Sequence, residues 1–124
     1  MVLSTVARGR QAECAAGDYL RAHDWEVLAQ NHHTPVGELD LVCTDGSTLV
    51  FVEVKARSGS CFGEALESVG PRKERRLRAA AAWWMAERGR ATRDVRFDVI
   101  VVLLEEDGSL RSLAHLRDVL GSGN

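Results

Sequence analysis

Apolar residues recur at Ala12, Ala15, Ala16, Tyr19 and Leu20, the spacing of one stripe on a helix, and predict an amphipathic helix from about Thr5 to His23. Glu13 lies at the edge of that stripe. Trp25 to Gln30 reads as a short strand, and Asn31 to Gly37, with Pro35 and Gly37, as a loop. Two β-rich runs follow, Glu38 to Cys43 and Thr48 to Ala56, joined through Thr44-Asp45-Gly46-Ser47, a strong hairpin signal. Gly59 to Gly63 reads as a loop and Glu64 to Val69 as a helical turn. Gly70-Pro71 opens the longest helix, with Leu77, Ala80, Ala81 and Trp84 as its apolar stripe and Gly89 as its stop. Val95 to Leu104 has the pattern of a buried strand. Asp107-Gly108 is a turn, and Leu110 to His115 a last strand before a short terminal helix.

The hairpin fixes which side chains meet. If Asp45-Gly46 is a two-residue turn, Val42 faces Leu49, Asp40 faces Phe51 and Glu38 faces Glu53. Alternation then puts Glu38, Asp40, Phe51, Glu53 and Lys55 on one face, and Leu39, Leu41, Val50, Val52 and Val54 on the other. The second face is a core wall and the first carries the charges. Like charges facing each other across a strand pair cost on the order of 0.2–1 kcal/mol, so Glu38, Asp40 and Glu53 together need a reason. A hard cation, Mg²⁺ or Mn²⁺, supplies one, because it binds through one or two carboxylates plus water and phosphate oxygens. Lys55 then balances negative charge or positions an attacking water. It serves as a base only if burial or neighbouring cations outweigh the nearby carboxylates.

Composition narrows the class. With 124 residues, 45% of them hydrophobic and 27% charged, the chain suits one domain spanning residues 1–124, and no apolar stretch approaches the length of a membrane span. A soluble cytoplasmic protein is expected. Cys14, Cys43 and Cys61 are too widely spaced for a zinc knuckle, and the adjacent side chains of His32 and His33 diverge in regular structure, which disfavours zinc. A net charge of −2 argues against coating nucleic acid by bulk electrostatics. The charges are segregated, however: Arg72, Lys73, Arg75, Arg76 and Arg78 crowd one segment, whereas acids gather around residues 38–67.

Asp40 followed thirteen residues later by Glu53-Val54-Lys55 resembles the core motif of the PD-(D/E)xK nucleases, and Glu13 matches the helix glutamate of their Holliday-junction-resolvase-like branch. Gly37-Glu38-Leu39-Asp40-Leu41-Val42, Val50 to Arg57, Pro71-Arg72-Lys73 and Arg96-Phe97-Asp98-Val99 together resemble the bacterial UPF0102 (YraN-like) family, from about Gly9 to about Arg117. The resemblance implies a restriction-endonuclease-like α/β core, a mixed central sheet flanked by helices. It further implies Asp40 and Glu53 as metal ligands, Lys55 as the catalytic lysine and Glu13 as a supporting acid. The chain departs from the family pattern at Asp24, where a glycine is expected, and at His32-His33. The function so implied is a metal-dependent endonuclease acting on DNA or structured nucleic acid, with a homodimer as an analogy only.

Each feature also has a plainer reading. A lone E-x-K occurs on many exposed strands. Glu38 is a third metal ligand, a group acting through water, or a carboxylate facing solvent. Arg57, Arg72, Lys73 and Arg76 contact phosphates or form a solvated face. Trp83 and Trp84 stack on bases or pack in the core, and the stripe favours the core for Trp84. Asp98, inside an apolar strand, needs a partner such as an arginine. The rival function is a catalytically silent nucleic-acid-binding or partner-recruiting module on a nuclease scaffold.

Overall fold

The computed structural model describes residues 4–58, 70–89 and 94–120. The element order is α1 (Thr5–Ala22), β1 (Glu26–Thr34), β2 (Gly37–Asp45), β3 (Thr48–Ser58), α2 (Pro71–Glu87), β4 (Val95–Leu104) and β5 (Leu110–Leu116). The five strands form one mixed sheet in sequential order, antiparallel throughout except where β4 runs parallel to β3. With a helix on each face, this is the expected α/β architecture. The regions read as a loop at 59–63 and a helical turn at 64–69 lie outside the described residues, as does Cys61.

Helix α1 starts where the Ser4 hydroxyl accepts the Ala7 N–H at 3.1 Å. It ends in a Schellman pattern, with Asp24 N–H donating to Arg21 O and Trp25 N–H to Leu20 O. Asp24 takes the left-handed conformation there, φ 66°, which is the backbone demand behind the glycine expected at that position. Its buried stripe, Ala12, Ala16 and Leu20, packs with Trp25 on Leu41, Cys43, Val50, Val52, Ile100 and Val102. Helix α2 begins with Pro71 after Gly70, as its sequence predicts, and sets Leu77, Ala80, Ala81 and Trp84 against Leu39, Val42, Leu49, Phe51 and Phe97.

That second cluster corrects the picture of one apolar and one charged face. Both faces of the hairpin are core, because Val42, Leu49 and Phe51 share the α2 side, and its charged residues stand at the two ends, Asp45 by the turn and Glu38, Asp40, Glu53 and Lys55 beyond Phe51. Three further differences follow from local backbone chemistry. The loop at 31–37 is mostly strand: β1 continues through Asn31 (φ 49°) to Thr34, and the turn closes on the Thr34 hydroxyl, which donates to Gly37 O and accepts the Val36 N–H. The β2–β3 turn centres on Gly46-Ser47, with Asp45 facing Thr48, because Gly46 (φ 62°) supplies the positive φ at the first turn position. Finally, residues 117–120 form a turn in place of the terminal helix, since Asp118 is left-handed (φ 55°) and its N–H donates to Asp98 at 3.0 Å.

Asp98 is fully buried and has the partners such a charge requires. Arg96 donates to both of its oxygens at 2.9 and 3.0 Å, and His115 Nε2 lies 2.8 Å away. On the other ring nitrogen, His115 Nδ1 meets the Tyr19 hydroxyl at 3.1 Å, so the carboxylate ties β4 to β5 and, through the imidazole, to α1. Burial pushes the Asp98 pKa up, but the hydrogen bonds from His115, Arg96 and Asp118 outweigh it and hold the carboxyl at about 2.

A carboxyl depressed in this way contributes stability above the ordinary value near 3.8 and loses it as pH falls toward 2. Asp98→Ala, which leaves Arg96 and His115 facing an empty position, is expected to cost about 3–5 kcal/mol in urea unfolding at pH 7. The penalty should shrink as the pH is lowered from 4 to 2. A penalty that does not change with pH would contradict an ionised Asp98.

Candidate active site

The β2–β3 ladder ends at Leu41 and Val52. Beyond it β3 stays paired with β4 as far as Ser58 and Leu104, while β2 stays paired with β1 down to Gly37 and Thr34. The two strands therefore part, and the Val54 N–H loses a main-chain acceptor on β2. The Asp40 carboxylate takes its place, with Oδ2 accepting that N–H at 2.8 Å.

The sequence register is displaced by two residues, which keeps Asp40 on the side of Glu53, whereas Leu39, expected on the face of Leu41, packs instead in the α2-side cluster with Val42 and Phe51. Asp40 comes beside Glu53, in place of Phe51, and Glu38 is no longer opposite Glu53. Burial and then the Glu53 charge raise the Asp40 carboxyl from 3.8 to about 7, against the lowering effect of the Val54 hydrogen bond. Glu53 Oε1 lies 3.7 Å from Lys55 Nζ and 3.4 Å from Lys73 Nζ. Lys55 is only 7% exposed. Burial and the adjacent Lys73 lower its amine to about 8, outweighing the opposing pull of Glu53. The direction of that shift is the one a base role requires. Lys73 shifts the other way: Lys55 and the carboxylates raise its pKa against the effect of burial.

Glu13 reaches the same place from α1. Burial, then Glu38 and Glu53, raise its pKa, and its Oε1 is buried with no hydrogen-bond partner among the described residues. Glu38 is exposed at the rim, with Oε1 3.1 Å from His33 Nδ1. A groove of about 250 Å³ on the α2 side is lined by Gly37, Glu38, Glu53, Lys73, Arg76 and Leu77. Gly37 has φ 150°, and a Cβ there would come within 3.0 Å of Arg76 Cγ, so glycine lets the arginine stem lie along the groove.

Of the other basic residues, Arg57 stands past Lys55 on β3, away from this groove. Arg72 is exposed and lines no part of it. Arg78 is structural: it pairs with Glu74, donates to Leu120 O and lies over the Phe97 ring. Trp84 is core, 5.9 Å from Phe51 in an edge-to-face pair. The contribution of Lys73 as the partner of Glu53 was not foreseen, although Pro71-Arg72-Lys73 marks the helix start that delivers it.

Among the described residues, no three carboxylate, imidazole or thiol groups form a ready-made cage. Two adjoining carboxyls and a third buried, unpartnered carboxylate oxygen are nevertheless the oxygen donors that a hard divalent cation takes together with water. The residues fit such an ion.

Without a cation the pair is costly. Because the folded protein holds the Asp40 proton to about pH 7 and an unfolded carboxyl only to about 3.8, metal-free stability should fall as pH rises between those values and then level. Asp40→Asn keeps an acceptor for Val54 and removes the charge. A tenfold change in proton affinity corresponds to about 1.4 kcal/mol. Allowing for screening at this half-buried carboxyl, the variant should be about 1–3 kcal/mol more stable than wild type at pH 8 in EDTA, with little difference at pH 4. A less stable variant at pH 8 would contradict the strained pair.

The profile of the Uncharacterised protein family UPF0102 matches residues 12–102, a span that includes Glu13, Asp40, Glu53, Lys55 and Lys73. The chain is similar over most of its length to proteins named only as UPF0102 proteins. It is 44% identical to one from Pelotomaculum thermopropionicum over 110 residues, covering 89% of this chain and 92% of the relative. To one from Beutenbergia cavernae it is 49% identical over 113 residues, 91% and 95% of the two chains. A Frankia casuarinae relative is 46% identical over 111 residues, 90% and 93%. The protein belongs to the UPF0102 family.

Proposed function

We propose that this protein is a metal-dependent nuclease of the PD-(D/E)xK type, hydrolysing phosphodiester bonds in DNA or structured nucleic acid. The observation that carries the reading is the meeting of Asp40 and Glu53 where β2 and β3 part, with Lys55 and Lys73 within 4 Å of the Glu53 carboxylate. Asp40 and Glu53 would hold Mg²⁺ or Mn²⁺, with Glu13 contributing through its unpartnered oxygen. The cation, when bound, lowers the pKa of water and neutralises phosphate charge.

The remaining work falls to the chain's own groups. Lys55, buried and with an amine near 8, accepts the proton of the attacking water at Nζ. Lys73 remains charged and offsets negative charge that builds on the phosphate oxygens. Arg76 along the groove binds the flanking backbone, with Arg57 and the exposed Arg72 as further phosphate contacts. A silent binding module is the second reading, favoured by the lack of a three-ligand cage among the described residues.

Cleavage of single-stranded, duplex and branched DNA with Mg²⁺ or Mn²⁺ separates the two. Wild type should cut at least one substrate, with a rate that rises with pH up to about 8. Asp40→Asn and Glu53→Gln should lose 10²-fold or more while still binding DNA, and Lys55→Met a similar factor. Wild type that cuts nothing with either metal, or carboxylate variants that cut as well as wild type, would contradict the nuclease.

A further inference from the structure

A second cavity, of about 490 Å³, opens on the α1 side of the end of β3. Its walls include Thr5, Arg8 and Gly9 from the first turns of α1, and Lys55, Ala56 and Arg57 from the strand. Three of these residues are cationic and none is acidic, in a chain whose net charge is −2. Arg57 Nη1 donates to Ala56 O at 2.8 Å, which holds the guanidinium at the strand end. Arg8 and Arg57, with Thr5 beside them in the same wall, suit an anion with several acceptor oxygens, the chemistry of a phosphate group.

The cavity adjoins the carboxylates. Lys55 belongs both to its wall and to the ion pair with Glu53. Along α1, Gly9 lies four residues, a rise of about 6 Å, from Glu13. A strand whose scissile phosphate sits at Asp40 and Glu53 would thus bring its neighbouring phosphate to the cavity. Gly9 faces that open space, where an added Cβ would meet nothing within 4 Å.

We propose that the cavity between α1 and the end of β3 is a phosphate subsite, holding the backbone phosphodiester adjacent to the one placed at the carboxylates. The assignment rests on the nuclease reading for its substrate class, but it is tested without metal. A terminal phosphomonoester would offer similar oxygens, so the probe is used in both forms.

The full-length protein is titrated in EDTA with a 3′-fluorescein single-stranded DNA, with and without a 5′-phosphate, and anisotropy is followed across salt concentrations. Gly9→Leu fills the cavity and Arg57→Gln removes one of its cations. Each should weaken binding at least tenfold and flatten the salt dependence by about one phosphate contact. Arg111→Gln removes the same charge from exposed β5 and should bind as wild type. The 5′-phosphate should change affinity less than twofold.

Thermal melts check the fold, and Gly9→Leu should melt no lower than wild type; if it does not fold, Arg57→Gln decides. The proposal is overturned if the folded cavity variants bind as wild type, or if Arg111→Gln weakens binding equally. Tenfold dependence on the 5′-phosphate, or no binding by wild type at low salt, overturns it as well. With metal absent, failure of cleavage in the nuclease assays would refute the hydrolase and leave this result standing.

Discussion

The hydrogen bond from Val54 N–H to the Asp40 carboxylate, 2.8 Å long, is the contact on which the site depends. A strand that is paired on one side and parts from its neighbour on the other must still satisfy its main-chain donors, and burial makes an unmet one expensive. The side chain of Asp40 replaces the missing rung. This lets β2 leave β3 after Leu41 without losing the bond, and opens the end of β3 where Glu53 and Lys55 stand. It also fixes Asp40 beside Glu53, which raises its pKa to about 7.

Both helices converge on that opening while serving different cores. Helix α1 packs its stripe on one face of the sheet and brings Glu13 to the carboxylates. Helix α2 packs Leu77, Ala80, Ala81 and Trp84 on the other face and, because it begins at Pro71, places Lys73 in its first turn 3.4 Å from Glu53. The acids thus gather where the strands part, and cations stand on the α1 and α2 sides of the same strand end. A formal charge of −2 conceals this segregation. Asp98 has a separate structural task, joining β4 and β5 to α1 through Arg96, His115 and Tyr19.

Much of this was legible in the chain itself. Helical periodicity located both helices, and alternation placed Asp40, Glu53 and Lys55 on one side because a two-residue displacement of register leaves parity unchanged. Where the register lay was not legible, since Asp45-Gly46 and Gly46-Ser47 are both plausible turn centres and only the backbone shows which position takes the positive φ. Pro35 and Gly37 made a tight turn look like a seven-residue loop. The pKa direction of Lys55 depended on burial and on Lys73, eighteen residues away in sequence and delivered by another element. The cavity walled by Thr5, Arg8 and Gly9 has no sequence signal, because it exists only where α1 passes the end of β3.

The most direct test of the central claim is anomalous diffraction from crystals of the protein grown or soaked with Mn²⁺ at pH 8. The account predicts one anomalous peak within coordination distance of Asp40 and Glu53, lost in Asp40→Asn. A peak bound elsewhere, or none at saturating Mn²⁺, would contradict the assignment of these two carboxylates as a metal site.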